Sequence, residues 1–271
     1  MEQEYDFDLL SPVEQQKIVE VIAKDNLEHA NKLKKEVHPR KTFYTIFLKR
    51  VIDIVLSFIA FFITIPINVL IAIITFFDVG RPILFGQKRM GKGCNPFTLY
   101  KFRNMTNETD EKGILLPADQ RTTKWGQFVR STSLDELLNF WSILKGDMSL
   151  IGPRPLPMVY KGRFCSYHES RHNVKPGLDC PLHDSTMTYM TWQNRLDNDA
   201  WYVENVSFLT DCKLVILLFR ETFFGKEKKD RARGGSEGTF MGYDAEGNVM
   251  NSKQIPRSYF ERVLNEGKNN E

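Results

Sequence analysis

The sequence has 271 residues and a net charge of +3, from 37 Lys and Arg against 34 Asp and Glu. That length allows one catalytic domain of roughly 150–200 residues with extras and argues against two large soluble domains. The near balance of charge gives no basis for nucleic-acid binding, and four scattered cysteines without a CxxC spacing argue against a secreted disulfide framework.

Residues 1–46 form a polar N-terminal extension, acidic first and basic later. Ser11-Pro12-Val13-Glu14 predicts a helix start, with Ser11 as cap and Pro12 in the first helical position. Lys32, Lys34, Lys35, Arg40, Lys41, Lys49 and Arg50 then gather before an apolar run, which suits attraction to anionic headgroups. The apolar run, residues 51–77, exceeds the ~20 residues that cross a bilayer as a helix. Pro66 lies near its middle, where it removes a backbone donor and clashes with the preceding turn. A kinked spanning helix and a helix that breaks and returns are both open. Basic residues at both flanks, Lys49 and Arg50 before and Arg81, Lys88 and Arg89 after, favour the re-entrant form, because a spanning segment keeps its positive flank on one side.

From residue 81 to 224 the pattern is that of a soluble domain, with helices expected at 134–145, about 157–172 and 201–224. The last is apolar with scattered charge, as in a helix lying on a membrane surface. Residues 225–271 read as a polar tail.

The chemistry concentrates in STSLDELLNFWSILKGDMSLIGPRP, residues 131–155. Ser133-Leu134-Asp135-Glu136 matches a capping box, and the spacing alone favours two acids that only stabilise a helix N-terminus. The same position would keep a carboxylate ionised near the positive end of a helix, available as a nucleophile or metal ligand. Cations stand close in sequence: Arg130, Arg154 clamped between two prolines, and Lys101 and Arg103 in YKFRNM. Arginine forks suit phosphate oxygens, so together these residues point to a phosphate-bearing substrate at a lipid boundary. His168-Glu169-Ser170-Arg171-His172 spells HExxH, but Lys175-Pro176-Gly177 ends any helix there and no third ligand follows, which disfavours a zinc hydrolase. GQKRMGKG at 86–93 lacks the order of a nucleotide-binding P-loop.

Several blocks, FLKRVIDIVLSFIAFFITIPINVLIAI, FGQKRMGKGCNPFTLYKFRNM, RSTSLDELLNFWSILKGDMSLIGPRP, VKPGL and DAWYVENVSFLTDCK, resemble the bacterial sugar transferases, or monotopic phosphoglycosyl transferases, over Phe47 to about Phe224. The resemblance implies an α/β-type monotopic membrane protein: a re-entrant membrane helix hairpin at 47–80 that breaks at Pro66, and a small helix-rich catalytic domain at 81–224 with interfacial amphipathic helices. It implies transfer of a sugar 1-phosphate from a UDP-sugar to polyprenyl (undecaprenyl) phosphate, with release of UMP, as the first step of membrane-linked glycan assembly. Asp135 would be the nucleophile, Glu136 its partner, and Mg²⁺ would sit at Asp135. Arg103, Arg130 and Arg154 would contact phosphate, and Asp199 and Asp211 would support the site. The implied location is the cytoplasmic face of a bacterial inner membrane, with membrane lipid as a partner and downstream glycosyltransferases or a second copy as further candidates. Departures stand beside the likeness. DCPLHDSTMT at 179–188 replaces a stretch like TGWAQVNGRN, so that His183, Ser185 and Met187 stand for glutamine, asparagine and arginine, while Leu138 replaces a common proline and Ile65 a common serine. These departures leave a non-catalytic membrane scaffold of the same fold as the alternative.

Overall fold

The computed structural model describes residues 5–111, 113–184, 191–224 and 238–268; Ser185 and Met187 lie outside them. Helix α1, Pro12–Leu33, begins as the sequence predicts: Ser11 Oγ accepts from the Glu14 amide and the Glu14 side chain accepts from the Ser11 amide, with Pro12 at the first position. Its buried stripe Ile18, Ile22, Asn26 and Ala30 recurs every four residues.

Helix α2, Lys49–Val79, is continuous through Pro66, so the fold has one helix where two joined by a turn were expected. Thr64 Oγ1 bonds back to the Ala60 carbonyl at 2.8 Å just before that proline, a combination that bends helices. At 1.5 Å per residue a straight helix of this length would span about 46 Å. Yet both of its ends are fastened to the same body, while the apolar residues between them, such as Phe58, Phe62, Ile63, Val69 and Leu70, are exposed. Near the start, Arg50 donates to the carbonyls of Ile143 and Leu144 (2.6 and 2.9 Å), and buried Asp53 accepts from Ser149 Oγ and the Leu150 amide, both at 3.0 Å. Near the end, Thr75 accepts from Trp125 Nε1 at 3.1 Å and Asp78 accepts from Thr123. Among the described residues, Tyr44–Val79 is the one helical stretch long and apolar enough to cross a membrane.

The body is mixed helix and sheet. Strands β1, Leu84–Met90, and β2, Pro96–Phe102, form an antiparallel hairpin. Helices α3, Ala118–Arg121, α4, Lys124–Ser131, and α5, Asn139–Lys145, follow, then β3, Ser149–Ile151, which pairs in parallel with β4, Gly177–Asp179. Gly152 and Gly177 meet backbone to backbone: a Cβ on Gly177 would lie 2.2 Å from the Gly152 nitrogen, so neither position admits a side chain.

Three expected helices are corrected. Over 134–145, a 3-10 turn at Leu134–Glu136 precedes α5, because Ser133 is left-handed at φ 57° and its side chain caps nothing. Within this stretch Asp135, Asn139, Ser142 and Ile143 are buried, Leu134, Leu137, Leu138 and Leu144 are partly buried, and Trp141 is 50% exposed and lies against Phe61 of α2. Over 157–172, 3-10 turns at Met158–Tyr160 and Ser170–Asn173 flank α6, Ser166–Glu169. The third divides into α7, Trp192–Asn205, and α8, Phe208–Phe224, because Ser207 Oγ accepts from the Thr210 amide and starts a new helix.

Within residues read as a polar tail, β5, Phe240–Tyr243, and β6, Val249–Asn251, form a hairpin, followed by α9, Arg257–Lys268. They share a core with α1: Phe7, Ile18, Val19 and Ile22 against Met241, Met250, Phe260 and Val263. The two ends of the sequence thus build one unit, and a second cluster, including Ala30, Met90, Leu156, Phe164, Leu196, Phe240 and Tyr243, seats it on the body.

A buried polar clasp fastens this joint. His168 lies between Tyr243 Oη at 2.8 Å and Asp197 at 3.1 Å, with Cys165 Sγ 3.6 Å away and Lys34 of the sequence following α1 also on Asp197. Burial disfavours charge on His168, but Asp197 and Cys165 outweigh it and raise its pKa. The stability this contributes is therefore full below the unfolded value of about 6.5 and is lost as pH rises through the higher folded value. Above pH ~6.5 the wild-type Tm is expected to fall more steeply than that of His168→Gln; parallel Tm profiles would show that the clasp contributes nothing.

Candidate active site

The turn after α4 carries Asp135 and Glu136 beneath β2 and beside the Pro153-Arg154-Pro155 segment that follows β3. Asp135 is 4% exposed. Lys101 Nζ, from β2, lies 2.8 Å from Glu136 Oε1 and 3.4 Å from Asp135 Oδ2. Arg154 forms an ion pair with the same Glu136 oxygen.

This electrostatic arrangement differs from the expected one. A three-residue 3-10 turn offers little helix dipole, and burial, with Glu136 adjacent, raises the Asp135 pKa against the opposing effect of Lys101. Burial also pushes Glu136 upward, but Arg154 and Lys101 overcome it and hold that carboxyl below its ordinary range. Burial opposes the charge of Arg154, yet Glu136, Asp179 and Asp135 raise its pKa on balance. Glu136 is therefore the tied member that fixes both cations, and Asp135 is the less encumbered carboxylate, with a single distant lysine contact.

The other expected residues fall in different places. Arg103, just past β2, donates to the carbonyls of Val79 and Arg81 and so caps the end of α2 rather than joining the acidic pair. Arg130 is exposed on the last turn of α4, with no ion pair to either carboxylate among the described residues. Asp199, on α7, pairs with buried Arg171 at 2.8 Å, and Arg171 donates to the Arg154 carbonyl at 2.7 Å, so Asp199 supports the Pro-Arg-Pro segment at one remove. The Asp199–Arg171 approach is a charge contact without aligned hydrogen-bond geometry, since Asp199 Oδ2 has no hydrogen-bond partner. Asp211, on α8, gathers Tyr44, Lys49 at 2.6 Å and Tyr202 at 2.8 Å; Lys49 and Tyr202 also reach the Ile151 carbonyl. It ties the root of α2 to the strand leading into Arg154. Pro66 stands in the middle of α2.

Sequence reasoning missed Asp53 and Arg171, and placed Lys101 behind Arg103. An aspartate inside an apolar run was the available signal for Asp53. Arg171 was masked by the HExxH pattern, whose histidines do not converge: His168 faces Tyr243 and Asp197, and His172 Nδ1 lies 3.1 Å from the Glu169 carbonyl. Among the described residues no group of three His, Cys, Asp or Glu could hold a metal. Two adjacent carboxylates do fit Mg²⁺, which commonly takes one or two carboxylates and completes its shell with phosphate and water. In the divergent stretch, His183 is stacked on Trp201 at 3.7 Å, and its backbone amide and Nδ1 lie 3.0 and 2.7 Å from Asn198 Oδ1.

Residues 44–225 match the family described as bacterial sugar transferase. The chain is similar to the uncharacterized sugar transferase EpsL of Bacillus subtilis (strain 168), with 40% identity over 174 residues, 64% of this chain and 86% of that one. It is also similar to the UDP-N-acetylgalactosamine-undecaprenyl-phosphate N-acetylgalactosaminephosphotransferase of Aeromonas hydrophila, 32% identical over 66% of this chain and 44% of that protein. A third relative is the UDP-glucose:undecaprenyl-phosphate glucose-1-phosphate transferase of Klebsiella pneumoniae, 35% identical over 66% of this chain and 40% of that protein. The match thus spans less than half of these two longer relatives. An enzyme of the transferase class is what these likenesses and the acidic pair define together. The chain belongs to the bacterial sugar transferase family.

Proposed function

We propose that this protein transfers a sugar 1-phosphate from a UDP-sugar to polyprenyl phosphate through a covalent aspartyl-phosphosugar intermediate. One observation carries the reading: a buried, lightly held carboxylate, Asp135, lies beside a Glu136 that anchors Lys101 and Arg154. In the first step an Asp135 oxygen attacks the phosphorus bearing the sugar, and the bond from that phosphorus to the bridging oxygen breaks, so UMP leaves with that oxygen. In the second, an oxygen of polyprenyl phosphate attacks the same phosphorus and the acyl-phosphate bond breaks, restoring the carboxylate. Lys101 and Arg154 offset charge on the phosphoryl oxygens in both steps. Asp135, with Glu136, would hold Mg²⁺, which supplies further positive charge to those oxygens when bound. The test is UMP release by nanodisc-embedded protein with Mg²⁺, undecaprenyl phosphate and a panel of UDP-sugars; silence across the panel from folded protein would sink the reading.

The reading includes a continuous α2, bent near Pro66, that enters and leaves the membrane on one side, and a catalytic body on the cytoplasmic face of the inner membrane. Its support is the attachment of both helix ends to one body around an exposed apolar middle containing Pro66. A straight spanning helix would carry its ends to opposite sides of a hydrocarbon core about 30 Å thick. Lys41→Cys and Arg81→Cys, at exposed positions flanking α2, are both expected to react with a membrane-impermeant maleimide in inverted vesicles and not in intact cells, above the native-cysteine background. Labelling of the two from opposite sides would establish a span instead.

A further inference from the structure

The inner cluster is electrically neutral: Asp135 and Glu136 are matched by Lys101 and Arg154. A donor carrying a doubly negative diphosphate would gain no net attraction from these four side chains, so counter-charge from the protein, beyond that of a bound Mg²⁺, has to come from other residues. Two arginines outside the described cluster flank the Pro-Arg-Pro segment. Arg89, on β1, donates to the Pro155 carbonyl at 3.1 Å and to Gln87 at 2.6 Å, and its Nε is buried without a hydrogen-bond partner. Arg195, on α7, stands one helical turn before Asp199 and hence on the same face, beside the Asp199–Arg171–Arg154 strut. Its guanidinium lies 5.3 Å from the centre of the Trp192 ring, and no ion pair or hydrogen bond engages it among the described residues. Trp192 in turn lies 5.5 Å from Tyr160, whose phenol feels the charges of Arg195 and Arg89.

We infer that Arg89 and Arg195 form a cationic subsite for the diphosphate of a nucleoside diphosphate sugar, next to the Asp135–Glu136 pair. The inference rests on the phosphosugar-transfer reading for the identity of the donor. Half-buried guanidinium groups without carboxylate partners are costly, and a diphosphate supplies the two charges and the oxygen geometry that their forks accept. Burial, reinforced by Arg171 and by Arg154 and only partly opposed by Asp199 and Asp179, lowers the Arg195 pKa to about 10, as expected for a buried cation crowded by others. Burial and Arg154 likewise lower that of Arg89. Asp179 is the one further acid acting on both Arg154 and Arg195. With Asp179 and the Asp199–Arg171 pair counted, Lys101, Arg89, Arg154, Arg171 and Arg195 still outnumber Asp135, Glu136, Asp179 and Asp199 by one.

The test measures binding without turnover. Thermal unfolding and calorimetry with UDP, UMP and uridine, each with Mg²⁺, are run on the full-length wild type, Arg195→Ala and Arg195→Lys. UDP is expected to bind wild type and to bind Arg195→Ala about 10–100-fold more weakly, the range for a lost charge-assisted contact. Arg195→Lys should recover part of that loss, uridine should not distinguish the variants, and donor KM should rise in Arg195→Ala by more than kcat falls. If Arg195→Ala does not fold, the same comparison passes to Arg195→Lys and Arg89→Lys. Equal UDP affinity in wild type and variants, or no UDP binding by wild type, would overturn the subsite. UDP binding that depends on Arg195 without UMP release would instead uphold the subsite and remove the transfer reading.

Discussion

Asp135→Asn is expected to abolish UMP release, by at least about 10³-fold, while leaving the protein at least as stable as wild type at pH 7. An amide lacks the anionic oxygen that would form the acyl phosphate in the proposed route, and that route has no substitute for it. Stability follows from the raised pKa of Asp135, whose chief cause is burial. A carboxyl raised in the folded state favours folding fully below its unfolded value, near 3.9, and loses that contribution as pH rises through the folded value. At neutral pH the ionised group is therefore a liability that the amide does not share. Denaturant unfolding at pH 7 and UMP release by the same preparation check both halves. Retained turnover would remove Asp135 as nucleophile, and marked destabilisation would mean that its contact with Lys101 outweighs its burial.

Asp199→Ala is expected to cost about 3–5 kcal/mol of stability, the usual penalty for leaving a buried charge unpaired. Arg171 is 2% exposed and its NH1 already lacks a hydrogen-bond partner, so no other group can take the aspartate's place. For a domain of this size, each kcal/mol lowers Tm by roughly 2–4 °C. Activity should fall as well, by about 10²-fold, because Arg171 is the donor that holds the Arg154 carbonyl and small displacements at a reacting centre are expensive. Asp199→Ala combined with Arg171→Met should regain much of the stability without regaining the activity, since an apolar pair removes the orphaned charge but not the lost tie. A Tm for Asp199→Ala within a degree or two of wild type would show that the strut does not carry load.

What the sequence revealed and what it concealed divides along physical lines. Helix α1 was legible because its cap is local: Ser11, Pro12 and Glu14 need no distant partner. The apolar run was legible by length. Residues 131–155 drew attention to the right acids and to Arg154, but Ser133 looked like a helix cap because spacing cannot show that its backbone turns left-handed. Spacing alone also does not show which side of α5 turns inward. Trp141 turns outward because its neighbour there, Phe61, belongs to an apolar helix, while the inward side of α5 places Ile143 in a core with Phe97, Leu99 and Met148. Lys101 and Arg103 stand two residues apart, and the end of β2 between them sends one to Glu136 and the other to the carbonyls closing α2. The hairpin of β5 and β6 was illegible because its partner, α1, is more than two hundred residues away along the chain.

The fastening of α2 at both ends has a practical consequence for anyone wishing to handle this enzyme without detergent. Deleting residues 49–79 would strip the Arg50 cap from the last carbonyls of α5, the Asp53 acceptor from Ser149 and Leu150, the Thr75 acceptor from Trp125, and the Val79 carbonyl from Arg103. Those orphaned donors and acceptors lie on the elements that present Asp135 and Arg154. The greasy segment is thus less an anchor that can be cut away than a structural beam of the catalytic body, and a water-soluble version calls for recolouring its exposed middle with polar residues while every attachment at its ends is kept.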